Sequence, residues 1–292
     1  LINNFKKRLI NNDLLIGVFA SLGSEMASEV LGSSDIDYTL VDMEHAPNDI
    51  RDTVNQMQTV KAAGGDCLVR IPVLDHIYAK RLLDAGATTI MFPQINNIND
   101  AQYAVKSVKY PPDGIRGIAG ATRANNFGRE TDYVSLADDN ICVICQIESL
   151  EACKNIKDIA SVEGVDLLFV GPGDLSADMG FIKNRAAPEV REMAIRVLRE
   201  AKKLNKPCGI MVGNISEAQE MLEIGFSVIA VTTDLVLLRN AVDEIGKLAI
   251  NNWPFNTFVI TSTNITITTT VNMLNHNKLR SYFLSSDIIN SN

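Results

Sequence analysis

Short apolar runs rich in β-branched residues alternate along this chain with longer amphipathic segments. The runs are "LLIGVFAS" (14–21), "DYTLVDME" (37–44), "CLVRIP" (67–72), "TTIMFPQ" (88–94), "ICVICQIE" (141–148), "DLLFVGP" (166–172), "PCGIMV" (207–212) and "SVIAVTTD" (227–234). Between them, segments such as "NDIRDTVNQMQTVKAAG" and "APEVREMAIRVLREAKKLN" repeat apolar residues at spacings of three and four, the period of a helix. The glycines of "AGG", "AGA" and "IGF" fall where such helices would stop. Eight β–α units in 292 residues predict a (β/α)8 TIM barrel of the α/β class. A doubly wound sheet is the alternative, but "FASLGSEMASE" after the first strand lacks the G-x-G-x-x-G turn of a dinucleotide site.

The alternation holds for residues 1–250 and then breaks. In 251–292 few residues are charged and Asn, Thr, Ser and Ile dominate. This stretch reads as an atypical tail, non-native or disordered, with an added terminal domain as the alternative. Its "ITITTTV" is β-prone and uncharged, an aggregation hazard if exposed.

Composition narrows the function classes. A hydrophobic content of 46% is enough for a large core, and a formal net charge of -8 argues against a nucleic-acid partner or an anionic membrane surface. No apolar stretch approaches the roughly 20 residues that span a bilayer, and "LINNFKKRLINN" lacks the apolar segment of a secretory signal, so a cytoplasmic protein is expected. The five cysteines are odd in number and scattered. Cys142 and Cys145 form a C-x-x-C, but strand alternation sends residues three apart to opposite faces, so they are expected to be core thiols.

In a barrel of this kind the active site lies at the C-terminal ends of the strands. There the second run ends in Asp42 and Glu44 with His45 next, the third in Arg70, the fifth in Gln146 and Glu148, and the sixth leads into "GPGDLSADMG" with Asp174. Glu148 and Asp174 are hard oxygen donors suited to a divalent ion that keeps positions for water and substrate. The plain structural reading is that Glu148 caps the next helix and Asp174 holds its loop. Arg70, inside an apolar strand, calls for an anion, and its fork fits a carboxylate. His45 is the natural proton carrier near neutral pH. None of the eight runs contains a lysine, so a Schiff-base route to an enolate has no obvious carrier.

"VDMEHAPND", "VRIP", "MFPQINN", "KYPPDGIRG", "RANNFG", "QIES" and "GVDLLFVGPGDLSADMG" occur in order and at near-family spacing. Over roughly residues 5–249 the chain resembles the HpcH/HpaI family of metal-dependent (class II) pyruvate aldolases, which includes 4-hydroxy-2-oxoheptanedioate aldolase and 2-dehydro-3-deoxyglucarate aldolase. The resemblance implies Glu148 and Asp174 as ligands of Mg2+, Mn2+ or Co2+, and Arg70 as the arginine that binds pyruvate and stabilises its enolate. It implies His45 as the acid/base residue, acting through a bound water and oriented by Asp84, with Asp42 and Gln146 at supporting and substrate-contacting positions. Backbone amides around Gly173 and Asp174 would receive the pyruvate carboxylate. The implied reaction is reversible cleavage of a 4-hydroxy-2-oxo acid to pyruvate and an aldehyde. The implied partners are these small molecules and further copies of the chain, as a hexamer or trimer.

The segment from "PPDGIRG" to "ADDN" exceeds an ordinary connection and is expected to be a lid or an oligomer contact near the mouth, with Arg116 and Arg123 as surface groups or contacts to an acidic substrate tail. His76, at a helix start, is expected to be structural. Two other functions stay open: a related acyl-CoA or phosphoenolpyruvate/pyruvate-type lyase, and a catalytically idle barrel.

Overall fold

The computed structural model describes residues 3–251, 257–262 and 265–270. They form two compact units, 1–237 and 238–292. The first unit holds eight parallel strands: β1 (Leu15–Ala20), β2 (Tyr38–Asp42), β3 (Cys67–Arg70), β4 (Thr89–Phe92), β5 (Cys142–Ile147), β6 (Leu167–Val170), β7 (Cys208–Val212) and β8 (Val228–Thr233). They pair in chain order, and β8 pairs back with β1 to close the barrel. Each lies inside the run that predicts it. The ends of those runs, including Glu44 and Glu148, are the turns that leave the barrel.

The alternation of each strand divides the core in two. Leu15, Phe19, Tyr38, Leu40, Leu68, Met91, Cys142, Ile144, Leu167 and Phe169 fill the barrel interior, while Val41, Val69, Ile90, Val143, Cys145 and Leu168 pack outward against the helices. Cys142 and Cys145 therefore lie on opposite faces of β5, free and fully buried, and burial pushes both thiols up. The interior needs room for large rings. A Cβ on Gly17 would lie 2.4 Å from the Tyr38 ring, so only glycine fits beside it.

Helix α1 (Asn4–Ile10) adds Phe5 and Leu9 to the interior cluster, flooring the barrel at the strand starts. Helices α2 (Glu25–Gly32), α3 (Ile50–Ala62), α4 (His76–Asp84) and α5 (Ile98–Val108) each begin with a side-chain cap, from Ser24, Asp49, Asp75 and Asn97 in turn. The remainder are α6 (Tyr133–Asn140), α7 (Leu150–Lys154), α8 (Ile156–Ser161), α9 (Pro172–Asp178), α10 (Pro188–Lys203), α11 (Ile215–Ile224) and α12 (Asp234–Asn251). Since the strands are parallel, the helices between them run the opposite way. A residue at a helix start is near the barrel mouth, and a residue at a helix end is near its floor.

The second unit contains an antiparallel pair, β9 (Thr257–Ser262) and β10 (Ile265–Thr270), which takes in most of "ITITTTV". Residues 252–256, 263–264 and 271–292 of the tail lie outside the described residues.

Candidate active site

Inward phase carries polar groups to the mouth. On β2, Tyr38 and Leu40 face the interior and Asp42 is next in phase; on β3, Leu68 is followed by Arg70; on β5, Cys142 and Ile144 lead to Gln146 and then Glu148. The β2–β3 register sets Asp42 beside Arg70. The carboxylate grips the guanidinium in a fork, Nε to Oδ1 at 2.8 Å and Nη2 to Oδ2 at 2.7 Å. Nη1 points toward Gln146 Oε1 at 3.4 Å and Glu44 Oε2 at 2.8 Å. The Glu44 contact lacks hydrogen-bond alignment, so this buried oxygen has a charge beside it but no donor. Burial works against the Arg70 charge, but Asp42, Glu44 and Glu148 outweigh it and hold the guanidinium above its ordinary value.

Glu148 is fixed at both oxygens. Oε1 accepts the Gln94 N–H at 2.7 Å and Oε2 accepts Gln146 Nε2 at 2.6 Å. Gln94 takes φ 54 to aim that N–H, a left-handed conformation that costs a side-chain-bearing residue about 1–2 kcal/mol. Gly171, in phase with Leu167 and Phe169, leaves the carboxylate its space. Burial pushes the Glu148 carboxyl up to about 7; the Gln94 N–H opposes this, Glu44 and Asp174 reinforce it, and Arg70 opposes it. Glu44 is raised as well, by burial first, with Arg70 and His45 working against it. The helix-capping reading of Glu148 is corrected: Ser149 caps α7, accepting from the Ala152 N–H.

Asp174 sits in the first turn of α9, which Pro172 starts directly from β6, so "GPGDLSAD" is helix rather than loop. Gly173 precedes it in that turn, exposed. His45 Nε2 lies 3.8 Å from Asp174 Oδ2 and 3.8 Å from Glu44 Oε2. Asp42, Glu44, His45, Arg70, Gln146, Glu148 and Asp174 thus share one mouth.

Asp84 is not brought to His45. It is the last residue of α4, which descends from the mouth, so it sits at the floor, where its carboxylate accepts Arg116 Nη2 at 2.8 Å. The long segment after α5 lies at the same end, with the Ala124 N–H donating to Asp84 O at 3.1 Å. It is no lid over this chain's own mouth. Arg116 is 1% exposed, between the rings of Tyr110 and Tyr133, and is neither a surface group nor a contact for a substrate in this mouth; Arg123 is exposed beside Gly86. His76 Nδ1 is 2.9 Å from the Tyr103 hydroxyl, in a structural contact.

A buried polar chain escaped the sequence reading. Ser28 Oγ donates to Gln56 Oε1, Gln56 Nε2 to Asn48 Oδ1, and Asn48 Nδ2 to the Asp42 carbonyl at 2.6 Å. It anchors the turn that carries Glu44 and His45. Its one signal in the sequence is Gln56, a polar residue in helical phase with the buried face of α3.

A family model, HpcH/HpaI aldolase/citrate lyase, matches residues 15–241. The chain belongs to this family. It is 38% identical over 244 residues to the 5-keto-4-deoxy-D-glucarate aldolase of Enterobacter sp., covering 84% of this chain and 95% of the relative. A solved HpcH/HpaI aldolase/citrate lyase family protein from Burkholderia cenocepacia superposes with a TM-score of 0.81 at 38% identity, over 85% of this chain and 99% of that one. The HpcH/HpaI aldolase from Desulfitobacterium hafniense gives 0.78 at 29% identity, over 85% and 97%. The chain is a carbon–carbon lyase of the aldolase type.

In this HpcH/HpaI mouth the donor set suits a hard divalent cation. Asp42, Glu44 and Glu148 surround the Arg70 guanidinium with Asp174 nearby, the Glu148 carboxyl is held high by burial first and by Glu44 and Asp174 after it, and Glu44 Oε2 has no donor. Among the described residues no group of three or more His, Cys, Asp and Glu is arranged as a metal cage. Mg2+-type sites need none, because one or two carboxylates suffice where water and substrate complete the shell. No barrel strand carries a lysine. A cavity of about 790 Å³ opens at the floor, lined by Val165, Lys206 and Ser227, away from these groups.

Proposed function

We propose that this chain is a divalent-metal-dependent pyruvate aldolase, cleaving a 4-hydroxy-2-oxo acid to pyruvate and an aldehyde. The observation that carries this reading is the convergence of Glu148 and Asp174 with the clamped Arg70 in one acidic mouth. The relatives' name, 5-keto-4-deoxy-D-glucarate aldolase, supports a sugar-acid substrate.

Glu148 and Asp174 would hold Mg2+, Mn2+ or Co2+, which would supply Lewis acidity toward the 2-oxo acid. Asp42 keeps the Arg70 fork in one plane, so its outer N–H groups meet the ketone oxygen as negative charge develops there. His45 takes the C4 hydroxyl proton through a water; the C3–C4 electron pair passes into the pyruvate enolate as the aldehyde leaves, and C3 is then protonated. Glu44 and Asp174 are the carboxylates beside His45 in this chain, each 3.8 Å from its Nε2. The first-turn amides of Gly173 and Asp174 would receive the pyruvate carboxylate.

Among the described residues no helix is long and apolar enough to cross a membrane, and five free, buried thiols suit a reducing, cytoplasmic compartment. The exposed Leu238, Val242 and Ile245, one face of α12, support a homo-oligomer. The test is chelation: EDTA should abolish pyruvate release and Mg2+, Mn2+ or Co2+ should restore it. Full activity in excess EDTA, or a pyruvate adduct trapped by borohydride, would refute this function.

A further inference from the structure

One cation at the mouth has no part in the bond-breaking steps. Position 213 follows β7 in phase with Gly209 and Met211, which face the barrel interior, so a side chain there would project into the mouth. It is glycine, and the space belongs to Arg185, from the segment between α9 and α10. A Cβ on Gly213 would lie 2.2 Å from Arg185 Nη2 and 3.4 Å from its Cζ. The guanidinium therefore rests on the bare backbone at the end of β7.

No carboxylate among the described residues is paired with it there. Among the described residues Arg185 makes no ion pair, whereas Arg70, the other arginine at the mouth, is committed to Asp42 and Glu44. The nearby acid, Glu217, has both oxygens occupied: Oε2 accepts the Gly213 N–H at 2.7 Å and Oε1 accepts Asn214 Nδ2 at 2.8 Å. Among the described residues Arg185 thus presents an exposed fork held in no ion pair, at a mouth otherwise rich in carboxylates. In the ring of eight strands β7 stands opposite β3, which carries Arg70. A molecule anchored at Arg70 on β3 and reaching across the mouth would bring its far end toward β7.

We propose that Arg185 is the specificity residue that receives the distal carboxylate of the substrate, so the site selects aldehydes carrying an acid group at the end remote from the reacting carbon. This rests on the pyruvate aldolase reading above. Arginine suits the task because its planar fork matches a carboxylate in two-pronged geometry.

The test compares two three-carbon aldehydes in condensation with pyruvate, tartronate semialdehyde with its carboxylate and glyceraldehyde without one, for the wild type, Arg185→Gln and Arg185→Lys. Arg185→Gln should lower kcat/KM for tartronate semialdehyde about 10- to 100-fold, the loss expected for a charge-assisted hydrogen bond, mainly through KM. Glyceraldehyde condensation and oxaloacetate decarboxylation should be unchanged, and Arg185→Lys should recover part of the loss. If Arg185→Gln treats both aldehydes as the wild type does, or loses both equally, the assignment of Arg185 is overturned while the aldolase reading stands. If the wild type neither condenses pyruvate with an aldehyde nor decarboxylates oxaloacetate, both are overturned.

Discussion

Replacing Gly171 by alanine tests whether the placement of Glu148 governs the chemistry. The backbone there, φ -101 and ψ 90, suits alanine, so no dihedral strain enters. The added Cβ would lie 2.6 Å from Glu148 Oε2, 2.7 Å from Gln146 Nε2 and 3.2 Å from Glu148 Cβ. Reaching the 3.4 Å of ordinary contact moves the carboxylate oxygen by about 0.8 Å. That end of the side chain is not free to swing, since Gln94 and Gln146 hold its two oxygens. A misplacement near 1 Å costs about 10²-fold in rate. Overpacking destabilises by about 1–3 kcal/mol, partly offset by about 0.4–1 kcal/mol from the stiffer unfolded chain. Gly171→Ala should therefore stay folded, lose about two orders of magnitude in turnover and bind Mn2+ more weakly. Thermal unfolding, pyruvate release coupled to lactate dehydrogenase, and Mn2+ titration calorimetry read the three effects. A folded variant with wild-type turnover and Mn2+ affinity would refute the reasoning.

Arg70→Lys keeps the charge but loses the fork, and turnover should fall by orders of magnitude with the circular dichroism spectrum unchanged; a near-normal rate would make the arginine purely structural. His45→Ala should lose roughly 10²–10⁴-fold in aldol cleavage while keeping oxaloacetate decarboxylation and metal affinity; equal loss of both activities would contradict the division of labour between His45 and Arg70. The Glu148 carboxyl, raised from 4.5 to about 7, holds a proton in the metal-free folded state that the unfolded chain releases at lower pH. Its contribution to metal-free stability is thus fully present below about 4.5 and lost as pH rises through about 7. Mn2+ binding at pH 6 should accordingly release a proton and at pH 8 should not, as calorimetry in buffers of different ionisation enthalpy would show; pH-independent proton release would exclude Glu148 as the titrating group.

The barrel was legible because each strand carries its own alternation, a local signal. The same phase that places Leu68 inside places Arg70 at the mouth, so Asp42, Arg70, Gln146 and Glu148 could be read from their strands alone. What depended on distant partners could not. The orphaned Glu44 oxygen, the Gln94 N–H aimed by a left-handed backbone, the space beside Gly171 and the arginine resting on Gly213 all arise from segments far apart in sequence. Asp84 shows what a family pattern leaves out of a single chain. Its match in the family pattern was clear, but the direction of α4 carries it to the floor, beside Arg116 rather than His45.

The pairing of β1 with β8 also bears on how the molecule is made. The seam is latched by the Asp234 carboxylate, which accepts the Ser21 N–H at 2.8 Å across a separation of 213 residues. On the ribosome, seven strands can emerge and find their neighbours while the first still has one edge unpaired. That edge stays open until the last strand leaves the exit tunnel, and open edges are templates for the wrong partner. Until then no ring of strands exists to give the mouth a fixed shape. A messenger cut short before the codons for β8 would therefore yield a chain with two sticky margins rather than a weaker enzyme, and quality control would meet it as an aggregate.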